Sequence, residues 1–137
     1  MNKRQKLALI VLTSLSLVSG CGLQRVDRGS EAASDQLAAV RIHGAFFRRV
    51  NGVEISKWSS GVLIPPGKNE FEFVIDPTYF NAGDVASTIY RLTIDAQPAS
   101  EYLISGPRGL ARLCAWPIKS DTGKPDLEHP AGCAYRD

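Results

Sequence analysis

Two stretches of strict alternation constrain this chain more than anything else in it. In the first, Phe71, Phe73 and Ile75 take every second position, with Glu70 and Glu72 between them. In the second, Tyr90, Leu92 and Ile94 alternate with Arg91, Thr93 and Asp95. A period of two places the two sets on opposite faces of an extended strand, so both stretches read as strands with one buried face and one wet face. Shorter alternations flank them. Val40 and Ile42 alternate with Arg41 and His43, then run on through Phe46 and Phe47 to Arg48 and Arg49 as a first strand. Asn51-Gly52 is a hairpin signal because both residues tolerate positive φ, and Val53 and Ile55 follow it. Val62 and Ile64 end at the Pro65-Pro66-Gly67 turn, and Tyr102 to Ile104 and Leu110 to Trp116 complete the set across Gly106, Pro107 and Gly109. Asp76, Pro77, Asn81, Gly83 and Asp84 mark a longer connection. No segment holds the i, i+3, i+4 spacing for three turns and no βαβ spacing occurs, which excludes a parallel α/β fold. The expectation is an all-β chain: a small antiparallel β-sandwich of six to seven strands.

The other constraint lies at the start. Lys3, Arg4 and Lys6 precede an apolar run from Leu7 to Val18, and Ser19 and Gly20 form a small-residue exit. A transmembrane helix needs about twenty apolar residues, so this interrupted run reads as the central region of a secretion signal. Leu17, Val18, Ser19, Gly20 and Cys21 resemble the lipobox of bacterial lipoproteins, which implies cleavage before Cys21 and a diacylglycerol on its thiol. Gly22, where an Asp would retain such a protein at the inner membrane, resembles the sorting pattern for the outer membrane, with the domain facing the periplasm. Removing residues 1–20 leaves 13 basic against 14 acidic residues, so the chain's basic balance belongs to the signal and gives no electrostatic case for nucleic acid.

The organisation that follows is a signal peptide over 1–20, a lipidated cysteine and flexible tether over 21–36, and one domain over 37–137. Leu23 and Val26 are the only large apolar residues in the tether. As a coil it would reach roughly 20 Å on average and about 50 Å when pulled straight. Ser30 to Leu37 could form a short helical turn.

Cysteine use fits an oxidising compartment. With Cys21 taken by lipid, Cys114 and Cys133 remain to form a disulfide around a loop rich in Pro and Gly, a staple worth roughly 3 kcal/mol in chain-entropy terms. The rival is a metal site from Cys114, His129 and Cys133 with Glu128 beside them, but no close second pair such as Cys-x-x-Cys exists. No cofactor is expected.

The order "NGVEI", "GVLIPPGKNEFEFVI", "YRLTIDAQPASEYLI", over roughly residues 40–105, resembles the small envelope modules of the PEGA and DUF2846 kind. The resemblance implies a β-sandwich of Ig-like or transthyretin-like form, used for adhesion, scaffolding or surface contact. It carries no catalytic residues to transfer. It departs from the pattern where a Gly precedes the Tyr; Ala99, Ser100 and Glu101 stand before Tyr102 here.

The chain offers little for catalysis. His43 shares a strand face with Arg41, His129 lies in a Pro-rich loop, and neither sits in a nucleophile signature. Glu70 and Glu72 beside Lys68 read as a solvated edge strand, and Asp121, Asp126 and Glu128 lack a calcium-loop pattern. "SGPRGLAR" reads as a strand connection more than an anion cradle. Trp116, two residues past Cys114, would pack over the disulfide.

Phe47, Arg49 and Trp58 have the make-up of an interaction hot spot if strand alternation turns one of the adjacent Phe46 and Phe47 outward; the favoured alternative is core packing of both, through a bend at Gly44. The functional expectation is an outer-membrane lipoprotein acting as a non-catalytic accessory subunit that contacts an envelope protein or the cell wall. The rival is a periplasmic small-ligand or metal-binding sensor or carrier that uses the loop from Trp116 to Cys133.

Overall fold

The computed structural model describes residues 22–26, 33–56, 59–75, 89–106 and 113–136. The two alternating stretches form its centre. They pair as an antiparallel hairpin of β6 (Gly67–Ile75) with β7 (Ile89–Ala96), in register from Gly67 opposite Ala96 to Val74 opposite Ile89. Phe71, Phe73, Ile75, Tyr90, Leu92 and Ile94 all turn inward and are essentially excluded from water. Each such side chain contributes roughly 1.5 to 3 kcal/mol of transfer free energy. β3 (Ala45–Val50) lies on the other side of β6, and β4 (Val53–Glu54) and β11 (Tyr135–Arg136) complete a sheet in the order β11-β7-β6-β3-β4.

The facing sheet runs β1-β5-β2-β8-β9-β10. Its strands are Gln24–Arg25, Gly61–Ile64, Ala38–Ile42, Glu101–Ser105, Cys114–Pro117 and Gly132–Cys133 in that order. Val40, Val62, Ile64, Tyr102, Ile104 and Ala115 point from it into the same core. The chain is therefore an all-β sandwich. Among the described residues, seven strands have four residues or more, and four two-residue strands trim the edges. Pairing is antiparallel except between β1 and β5 and between β2 and β8, where long connections through the second sheet bring strands back in the same direction.

Several expectations change. The first expected strand is two: β2 ends at Ile42, Gly44 takes φ 81°, and the chain turns a corner into β3 of the other sheet. β6 is a central strand, so Glu70 and Glu72 do not form an edge. They lie on an outer face with Arg91, whose guanidinium approaches them at 3.8 and 3.5 Å, a surface arrangement worth at most about 1 kcal/mol. The Asn51-Gly52 hairpin forms as expected, with φ 52° and 79° between paired Val50 and Val53.

Asn51 and Asn69 are the buried polar residues of this half. The Asn51 amide donates to Asn69 Oδ1 at 2.8 Å, and its Oδ1 accepts the Glu70 amide. Asn69 Nδ2 donates to the carbonyls of Pro65 and Gly67 at 2.9 and 2.8 Å. The hairpin and the Pro65-Pro66-Gly67 turn are thereby fixed to one another.

Residues 22–26, within the expected tether, lie against the sandwich. Gln24 and Arg25 pair with Val62 and Leu63, and the Val26 amide donates to the Leu63 carbonyl at 2.8 Å. Val26 is 1% exposed, inside the core cluster. Gln24 also crosses to the other sheet: its Nε2 donates to the Glu54 carbonyl at 3.3 Å, and its Oε1 accepts the Ser56 amide and the Ser59 hydroxyl at 3.2 Å each. Further along, the expected helical turn is a single 3-10 turn at Ser34–Gln36.

At the opposite edge the chain passes from β10 in one sheet to β11 in the other through Ala134 alone. Gly132 is required there, because a Cβ would lie 2.4 Å from the Thr93 carbonyl oxygen. Cys114 and Cys133 face each other across β9 and β10 and are joined, with Cα atoms 3.9 Å apart.

Two measurements check this account. Val26→Ala should lower unfolding free energy by about 2 kcal/mol in a urea titration, where a residue on a loose tether would register nothing. Ala99 holds φ 55° in the turn before β8, a conformation that costs an L side chain and costs glycine little. Ala99→Gly should therefore raise stability, by about 1 kcal/mol in the same assay.

Candidate functional site

The inward set of side chains is consumed by the core, so any contact function falls to outward residues and turns. On the outer face of the first sheet, Ala39 and Arg41 of β2 lie beside Glu101 and Leu103 of β8 in parallel register. Past β9 the chain folds back over them. The Ile118 amide donates to the Glu101 carbonyl at 2.9 Å, Ile118 pairs with Pro125, and the Asp126 amide returns to the Pro117 carbonyl at 2.7 Å. Lys119 and Lys124 close the tip through a 2.9 Å backbone bond, with Gly123 at φ 67°.

This hairpin makes two open hollows. One, about 330 Å³, is floored by Ala39 and Leu103 and walled by Ile118 and Pro125, with Arg41 and Glu101 at its rim. The other, about 550 Å³, lies against Ser100, Lys119 and Ser120 and shares Glu101, Ile118 and Gly123 with the first. An apolar floor edged by one cation and one carboxylate suits a side chain or short peptide. Neither histidine lines these hollows.

Asp126, Glu128 and His129 at the foot of the hairpin bring their ligating atoms within 4.8 Å of one another. Asp126 is already engaged: its carboxylate accepts the Glu128 amide at 3.1 Å and meets His129 Nδ1 at 3.2 Å. Its pKa is held below the usual carboxylate value chiefly by the Glu128 amide. Partial burial opposes this, and His129 and then Lys119 reinforce it. The arrangement is that of a side-chain-capped turn.

The structure redistributes the expected site residues. Cys114 and Cys133 are joined, which removes both sulfurs from the alternative metal set with His129. Phe47 is 6% exposed and packs against Phe71, with ring centroids 6.1 Å apart, so it is a core residue and no part of a contact face. Phe46 faces outward at 46%. The register shifts between Phe47 and Arg49, and this bulge sends both Arg48 and Arg49 to solvent before Val50 turns in. Arg49 is thus exposed as expected, with Glu54 at 3.7 Å. Trp58, Cys21, Arg108 and Gly109 lie outside the described residues, as does the whole connection from Asp76 to the start of β7. Trp116 is tied by its ring N–H to the Ser105 carbonyl at 2.9 Å, opposite Cys114 in register.

The hollows were not found from the sequence, although the loop from Trp116 to Cys133 was singled out. Ile118 and Pro125 were the available signal. Their partners Ala39 and Leu103 come from strands whose neighbouring position only the fold reveals.

No family model matches the chain, and neither a curated protein nor a solved structure does.

A depressed carboxyl pKa stabilises the folded turn above the ordinary value of about 4 and loses that contribution as pH falls through the folded value. A carbon-detected NMR titration should place the Asp126 midpoint below the ordinary carboxylate value. His129→Ala should raise it part of the way, and Glu128→Pro, which removes the donating amide, further.

Proposed function

We propose that this chain is a lipid-anchored envelope lipoprotein of the outer membrane, whose sandwich serves as a non-catalytic binding subunit for another envelope component. The observation that carries the reading is the Cys114–Cys133 pairing. Disulfides are typical of oxidising, extracytoplasmic compartments, which supports export, and with two of the chain's three cysteines so joined, Cys21 is the one left for lipid. The residues before Cys21 supply the export signal and the acceptor pattern for lipid.

Binding is assigned to the hollows beneath the 118–125 hairpin and not to Phe47, Arg49 and Trp58 as a set. Support comes from their concave shape, their apolar floor of Ala39 and Leu103, and the opposite charges of Arg41 and Glu101 at one rim. An extended peptide presenting one apolar side chain between charged neighbours meets that chemistry.

Intact-mass analysis of the envelope form tests the anchor: the expected species begins at Cys21 with acyl chains, and one that retains Met1 overturns it. For the binding face, cross-linked envelopes from cells carrying Leu103→Asp should lose a partner that Arg49→Ala retains. An unchanged melting temperature would show that the domain is intact.

A further inference from the structure

We propose that the sandwich lies directly against the bilayer by the end that carries Leu23, Ile42 and Phe46, with the hollows under the hairpin turned away from the membrane. This rests on the reading that Cys21 is acylated.

The distance from lipid to fold is short. β1 begins at Gln24, three residues past Cys21, and three residues of extended chain reach about 10 Å at most. That chain has no slack to give, because β1 is fixed on both sides. Gln24 is held by Glu54, Ser56 and Ser59, and Val26 is buried. Leu23 sits over Gly61 so closely that a Cβ there would meet its Cδ2 at 2.6 Å. The domain cannot stand off on a long leash.

Topology decides which end is near the lipid. β1 runs parallel to β5 with Gln24 opposite Val62, so Leu23 and the residues before it emerge where β5 begins. Arg41 pairs with Gly61, which puts the close of β2 at this end. Ala45 pairs with Ile75, so the start of β3 and the finish of β6 are there as well.

The outer surface at this end is apolar, while the rest of that sheet face is mostly charged, with Thr93 and, on the edge strand β11, Tyr135 among the charges. Phe46 pairs with Val74 and Val74 with Ile89, a row of three outward hydrophobic residues across three strands. Phe46 is 46% exposed, and the other two are half-buried. The next row along the same face is Glu72 with Arg91. An aromatic ring at the level of lipid headgroups removes apolar surface from water, and a single acyl-anchored cysteine gains from such a second contact. The far end carries the polar turns Asn51-Gly52 and Lys119 to Lys124, with Val53 of β4, 41% exposed, next to the first of them.

The test uses the full acylated protein purified from envelopes and reconstituted into phosphatidylethanolamine–phosphatidylglycerol vesicles. Nitroxide labels are placed at Phe46→Cys, at Ser60→Cys on the same end, and at Ser120→Cys on the hairpin tip. Collision with a water-soluble nickel chelate should be several-fold lower at 46 and 60 than at 120, with the order reversed for oxygen. Equal nickel collision at all three positions, with mass analysis showing acylated Cys21, overturns the orientation and leaves the anchor standing. An unmodified Cys21 overturns both.

Discussion

Everything in this molecule depends on how the two edges of the sandwich are closed. A pair of stacked sheets has two open flanks, where backbone groups and core side chains would meet water. Here each flank is sealed by a segment that belongs to one sheet and is fastened to the other. On one side β1 pairs with β5, and the Gln24 amide reaches across to Glu54, Ser56 and Ser59 beside β4. On the other, β10 becomes β11 with a single residue between them. The second closure works only because Gly132 lets the chain pass against the Thr93 carbonyl. The disulfide, whose cysteines stand 19 positions apart, holds that passage in place at roughly 3 kcal/mol of chain entropy.

Between the flanks, specificity comes from a small polar device in an apolar core. A buried amide that lost its partners would destabilise by roughly 1 to 3 kcal/mol. Asn69, at 1% exposure, finds three, and Asn51 adds the Glu70 backbone. Slipping β3 against β6 by one residue would break the two bonds that join the segments, Asn51 to Asn69 and Glu70 to Asn51, and would turn Phe47 and Val50 away from the core. The Asn pair therefore selects the register that the hydrophobic pattern alone only favours.

What could be read in advance follows the range of the forces involved. β6 and β7 were legible because their alternation is local and each has one wet face. Asn51-Gly52 was legible because positive φ at two consecutive residues is a local demand. The disulfide followed from counting thiols. The orientation of Phe46 and Phe47 was not legible: a bulge after Phe47 changes the parity on which reading a strand depends, and nothing in "FFRR" announces it. Leu23 and Val26 were misjudged for a related reason. Two apolar residues three apart break the strand period and are too few to establish a helical one, and the Gly61 surface that receives Leu23 lies 38 positions away. The hollows are the extreme case, since floor and wall meet only after β2, β8 and the hairpin have been assembled.

The same non-local assembly ties stability to binding. The hairpin over the hollows is carried between Cys114 and Cys133, so the bond that holds the β10 corner also holds both roots of the hairpin. One root is further secured by the Ala131 amide on the Ala115 carbonyl, the other by Ile118 on Glu101. A wall fixed at both roots keeps its spacing from Leu103 without contributing to the core, and a preorganised concave face binds with little ordering of its own loops. The closed flank and the contact face are in this sense one piece of structure, and sequence change at Cys114 or Cys133 acts on both together.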